Sequence, residues 1–208
     1  MADITTISNW LGSGSINLFG LPYAGKDTQA ELIAKEFDGV RLSGGEIIRN
    51  SIVPPHVKEA QDSGALVPTE DYVNIVLPYL GRDEFTGKPL ILSSVGRWHG
   101  EEEGVIRALE QSGHPLKAVV FLTISESKLH ERWEIAQATG DRGARADDAK
   151  HVLSTRLAEF HDKTLPVIEY YREKGLLIEV DASKHVIDVC RDIIDALARR
   201  AEVQSSPR

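Results

Sequence analysis

The chain has 208 residues, of which 27% are charged and 41% hydrophobic, the proportions of a globular domain with a full core. Lys plus Arg number 24 against 32 Asp plus Glu, a formal charge of −8, which argues against nonspecific nucleic-acid or anionic-membrane binding and leaves any anion site to a local concentration of Arg and Lys. A single cysteine, Cys190, excludes an internal disulfide and a Cys-rich metal site. No apolar run reaches the ~18 residues of a membrane span, residues 1–10 do not read as a signal peptide, and a cytoplasmic location is the default expectation.

In chain order, residues 1–15 read as a loose N-terminal arm ending in Gly12-Ser13-Gly14-Ser15, residues 16–203 as one domain, and residues 204–208 as a frayed tail. Within the domain, apolar runs predict strands at 16–19, 40–42, 90–92, within 116–124 and at 176–180. Helical spacing predicts helices over 29–37, 69–80, 101–111, 146–172 and 183–200. Cys190 falls among apolar residues of the last helix and reads as a small buried hydrophobe. Five strands separated by helices predict an α/β fold with a parallel sheet, which binds ligands at the carboxyl ends of its strands.

The first strand runs into Gly20-Leu21-Pro22-Tyr23-Ala24-Gly25-Lys26-Asp27-Thr28, which opens a helix. Gly-x-x-x-x-Gly-Lys in this context reads as a phosphate-binding loop. Gly20 and Gly25 let the backbone turn its N–H groups toward an anion, the helix N-terminus adds its positive end, Lys26 supplies a mobile cation for the β- and γ-phosphates of ATP, and Thr28 adds a hydroxyl.

With Gln29, this loop resembles G-x-P-G-A-G-K-G-T-Q of adenylate kinases, and the resemblance continues over about residues 16–182. It implies a P-loop kinase fold, with an acceptor-binding insertion at about 43–75 and a short lid at about 133–146. The segment 41–49 is similar to H-I-S-T-G-D-M-L-R, which places Ser43, Gly44 and Arg49 at the acceptor monophosphate. Gly64-Ala65-Leu66-Val67 resembles the turn that packs on the acceptor base. Arg97 ends the counterpart of D-G-F-P-R and would hold the acceptor phosphate. Arg132 matches the arginine that begins the lid, and Arg145-Ala146-Asp147-Asp148 the R-x-D-D that ends it. Arg156 begins a match to R-L-x-x-Y-H-x-Q-T-x-P and would face the transferring phosphoryl. Arg142 reads either as a lid phosphate contact or as an exposed loop charge. A lid of this length without cysteine resembles the metal-free forms, so no zinc is expected.

An ordered set of Arg49, Arg97, Arg132, Arg145 and Arg156 around a P-loop suits two nucleotides, because phosphoryl transfer is mostly positioning and charge stabilisation by forked donors. Four departures from the family pattern bear on metal and base recognition. The Asp of D-G-F-P-R, which orders water around Mg²⁺, is Ser93. The Gly after the loop Lys is Asp27, which either restores that carboxylate for Mg²⁺ or merely favours the first helical turn. The Thr that contacts the acceptor adenine is Gly44. The Gln that reads the base aligns with Glu101 or with Glu102, and a carboxylate only accepts; Glu101 either takes a hydrogen bond from a base amine or begins a solvated helix with Glu102 and Glu103. Trp98 could stack on a base or pack in the core.

The resemblance implies a monomeric adenylate kinase that uses Mg²⁺ with ATP to convert AMP reversibly to ADP. A CMP or GMP kinase is the alternative within the fold, and a catalytically weak nucleotide-binding sensor the alternative outside the class.

Overall fold

Every residue of Ser15–Gly20 is buried, as a strand covered on both faces must be. This strand, β1, is the centre of a five-stranded parallel sheet in the order β2-β3-β1-β4-β5, with β2 Val40–Ser43, β3 Leu90–Ser93, β4 Leu116–Thr123 and β5 Leu177–Asp181. The computed structural model describes residues 3–139 and 150–205. Leu18 pairs with Ser93 in register, so β1 and β3 deliver their last residues, Gly20 and Ser93, to the same edge of the sheet. No helix among the described residues is long and apolar enough to cross a membrane.

Three apolar clusters surround the sheet. One joins α1 (Ile4–Leu11), α2 (Lys26–Glu36) and α10 (Val186–Ser205) to β1 through Ile7, Leu11, Ile33, Ile193 and Leu197. A second ties α3 (Gly44–Arg49), α4 (Pro55–Ser63), α5 (Thr69–Leu80) and α6 (Glu102–Gln111) to β2 and β3 through Ile47, Val57, Val76 and Leu109. A third packs α7 (Glu126–Thr139), α8 (Lys150–Glu159) and α9 (Leu165–Glu173) against Phe19 and Val119.

Four expectations are corrected. Residues 3–11 of the expected loose arm are ordered as a helix and its cap: Asp3 caps α1 by accepting from Thr5 N at 3.0 Å, and Ile7 and Leu11 are buried. Gln204 is not frayed either, since α10 reaches Ser205 and Trp10 Nε1 donates to Gln204 Oε1 at 2.7 Å. The expected lid begins inside α7: residues 133–139 are helical, and Trp133 and Ala136 pack on the third cluster, while 140–146 lie outside the described residues. The helix expected over 146–172 is unbroken from 150 to 173 but not uniform. Pro166 has no N–H for the preceding turn, and a π-helical turn at Phe160–Thr164 separates α8 from α9. Cys190 is half-buried, and burial raises its thiol pKa.

Candidate functional site

The phosphate loop joins β1 to α2. Gly20 is required for space, because a Cβ there would meet Leu122 O at 2.8 Å. Gly25 is required for conformation, with φ 93 at the N-cap of α2. Tyr23 also holds a left-handed φ of 62, at a position where the resembled loop carries glycine; its buried ring packs in the third cluster, which holds a conformation costing about 1 kcal/mol. Alternating left-handed residues curl successive N–H groups into an anion-binding nest. Lys26 Nζ donates to Gly20 O at 2.9 Å and to Leu21 O at 2.8 Å, folded along the loop it serves.

A cleft opens over the carboxyl ends of β1 and β3. It brings together Gly20, Pro22, Tyr23, Gly25, Lys26, Asp27 and Thr28 from the loop with Ser43, Arg49, Leu66 and Val67 from the α3–α5 insertion, and with Arg97 and Arg156. Ala24 is buried behind the loop in the first cluster. Arg49 ends α3 and lies across Gly45, where an added Cβ would sit 3.2 Å from Nη1. Arg97 is half-buried; burial lowers its guanidinium pKa first, and the like charge of Arg156 lowers it further. Two cations held together in a partly dry cleft describe a site prepared for an anion.

One arginine, Arg132, is placed differently. The Arg132 guanidinium donates to Ala182 O at 2.6 Å and to Tyr23 O and Ala24 O at 3.3 and 3.4 Å, so it staples the loop backbone to the turn after β5 and does not line the cleft. Arg142 and Arg145 lie outside the described residues.

On the acceptor side, Leu66 and Val67 line the cleft as expected, but Gly44 and Glu101 do not. A Cβ on Gly44 would meet the Tyr72 hydroxyl at 2.9 Å and Ser94 O at 3.1 Å. Tyr72 is buried, its hydroxyl accepts from Gly96 N at 2.8 Å, and burial drives its pKa far above the ordinary value. The space that a side chain at 44 would fill therefore holds a hydroxyl delivered from α5. Glu101 is only 4% exposed, not the start of a solvated helix. It accepts from Trp98 N at 3.1 Å, and burial raises its pKa. Glu102 is also buried and pairs with His99 Nδ1 at 2.8 Å. The Trp98 ring carries the Lys163 ammonium 3.9 Å from its centroid.

Glu159 and Thr164 are among the cleft residues that sequence reasoning missed. Glu159 Oε2 accepts from Leu66 N at 3.0 Å and pairs with Lys163 at 2.7 Å, joining the insertion to α8. Its signal was its place three residues after Arg156, on the same helix face. Thr164 Oγ1 donates to Arg97 O at 3.0 Å from the π-helical turn, a local distortion often found at functional sites.

Asp27 and Ser93 meet at the loop: Ser93 Oγ donates to Asp27 Oδ1 at 2.7 Å. Arg41 Nη1 lies 3.9 Å from the same oxygen, while Glu46 and Glu31 engage the rest of the guanidinium at 2.7 and 3.0 Å. Among the described residues no three His, Cys, Asp or Glu side chains converge on one point. Mg²⁺ carried by phosphates needs only one or two carboxylates, so the residues present fit it.

The family model for adenylate kinase matches residues 18–176, which takes in the loop, the insertion and the Arg156 segment. The chain belongs to the adenylate kinase family. Family membership makes it a nucleoside monophosphate kinase, a phosphotransferase whose substrates are ATP and a nucleoside monophosphate; adenylate kinases use ATP with Mg²⁺. The chain is 36% identical to an adenylate kinase of Nitrobacter hamburgensis over 189 residues, covering 86% of this chain and 90% of that one. It is 29% identical to an adenylate kinase of Dehalococcoides mccartyi over 212 residues, covering 88% and 97%. A gluconokinase structure from Sinorhizobium meliloti 1021 shares the fold, with a TM-score of 0.64 at 22% identity, covering 93% of this chain and 98% of that one.

Proposed function

We propose that the protein transfers the γ-phosphoryl of ATP reversibly to AMP, yielding two ADP, and that it works as a monomer. The observation that carries this reading is the convergence of Arg49, Arg97 and Arg156 on the cleft that holds Lys26. A site that only sensed ATP would have no use for an acceptor-side arginine on α3 facing the phosphate loop.

An oxygen of the acceptor phosphate attacks the γ-phosphorus in line, forming one P–O bond as the bond to the β-phosphate oxygen breaks and leaves with ADP. The attacking oxygen is already anionic, so no residue is required as a general base. Lys26 exchanges the carbonyls of Gly20 and Leu21 for phosphate oxygens. Arg97 and Arg156 repel each other across the cleft and are neutralised as the transferring group spreads its charge between them. Arg49 anchors the acceptor, Leu66 and Val67 pack on its base, and Arg132 acts through the loop backbone it staples. Arg145 and Arg142 complete the charge set in this proposal. Mg²⁺, when bound with ATP, would be held near Asp27 and would neutralise β- and γ-phosphate oxygens.

A second reading, CMP or GMP as acceptor, is favoured by one observation: Tyr72 fills the space beside Gly44, and Glu101 turns its carboxylate to Trp98 N. The experiment supplies ATP, Mg²⁺ and each monophosphate in turn and follows ADP. Turnover with AMP supports the proposal, turnover with CMP or GMP alone moves it to the second reading, and ATP binding without any turnover makes the protein a nucleotide-binding sensor.

A further inference from the structure

P-loop enzymes that carry Mg²⁺ with their nucleotide commonly hold it with two side chains, a Ser or Thr hydroxyl directly after the loop lysine and an aspartate carboxylate from elsewhere in the site. In this chain the residue directly after Lys26 is the carboxylate Asp27, and the side chain that meets it is a hydroxyl, Ser93 Oγ, at 2.7 Å. Ser93 ends β3, the strand beside β1, and both residues line the phosphate cleft. We infer that the acid and the hydroxyl have exchanged places: Asp27 supplies the metal-directed carboxylate from the loop helix, and Ser93 orients it from the sheet.

The surroundings suit this role. The Asp27 side chain is 41% exposed, open enough to reach a hydrated cation. Ser93 is 2% exposed, and a hydroxyl fixed in the sheet defines the direction of the carboxylate it donates to. Arg41 approaches the negative charge of Asp27 to 3.9 Å, and Glu31 and Glu46 contact the same guanidinium at 3.0 and 2.7 Å. The α2 N-terminus tolerates that charge when no metal is bound.

The inference rests on ATP as the donor but not on the acceptor, and its test is equilibrium binding of ATP alone, with and without Mg²⁺, by calorimetry. Wild type should bind ATP more tightly with Mg²⁺ than without. Asp27→Asn should shift the two affinities in opposite directions: Mg²⁺-free ATP binds more tightly, because a carboxylate no longer faces the phosphates, while the ATP–Mg²⁺ complex weakens by about tenfold. The exchange variant Asp27→Ser with Ser93→Asp should recover the preference for ATP with Mg²⁺. A purely structural role would weaken both forms together. That outcome, an unchanged Mg²⁺ preference in Asp27→Asn, or failure of a folded exchange variant to regain it would overturn the inference. Absence of phosphoryl transfer to AMP would overturn the proposed function and leave this result standing.

Discussion

Arg97→Met separates what the cleft does for chemistry from what it costs the fold. Methionine keeps much of the arginine stem and removes its charge. Arg97 is half-buried, faces the like charge of Arg156, and has a guanidinium pKa lowered by burial and by that neighbour. An arginine directed at transition-state charge contributes about 10³-fold or more to turnover, about 4 kcal/mol of barrier, so the variant should lose at least that in a coupled assay of ADP formation. The same substitution relieves a desolvated, repelled cation in the empty protein, a gain of about 1 kcal/mol. For a chain of this size that raises the melting temperature by about 2–4 °C in the absence of nucleotide. Saturating ATP and monophosphate should reverse the order, because wild type gains more from the ligands. Near-normal turnover, or a variant that melts below wild type without nucleotide, would refute the reasoning.

Gly44→Thr should destabilise by about 1–3 kcal/mol in denaturant melts, because its Cβ would press on the Tyr72 hydroxyl at 2.9 Å, and pairing it with Tyr72→Val should return most of the loss. Tyr171→Phe should stabilise the protein by about 1 kcal/mol in the same melts, since the Tyr171 hydroxyl is buried with no hydrogen-bond partner among the described residues. Glu101→Gln should give a pH-dependent gain. Burial raises the folded Glu101 pKa above its ordinary 4.5, so the native state holds the proton more tightly and wild-type stability falls as pH rises from 4.5 through the folded value. The melting advantage of Glu101→Gln should therefore be present at pH 7 and vanish on acidification below 4.5.

The five strands were legible because each carries a short apolar run, wholly buried in β1 and β3, and the loop because its glycines, lysine and following helix act locally. Arg49, Arg97 and Arg156 were legible only through their order along the chain, and the cleft does gather them. What escaped the sequence depends on distant partners. Asp27 and Ser93 lie 66 positions apart, and Leu66 and Glu159 lie 93 apart, so no periodicity announces either contact. Gly44 looked like a lost base contact, but its meaning depends on Tyr72 arriving from another helix. Arg132 was found by its motif, yet its neighbours are backbone carbonyls of Tyr23, Ala24 and Ala182. Helix α7 was obscured because its C-terminal half was assigned to a lid, although Leu129, Trp133 and Ala136 repeat at helical spacing.

The pairing of α1 with α10 has a consequence for how the protein is made. Trp10 and Gln204 lie 194 positions apart, and the buried face of α1 closes over Ile193 and Leu197. During synthesis, Ile7 and Leu11 emerge from the ribosome long before Ile193 and Leu197 and must wait, uncovered, for them. The first cluster is therefore completed late, by a closure over long sequence distance that slows folding. In that interval α1 is an exposed apolar surface that a chaperone can recognise.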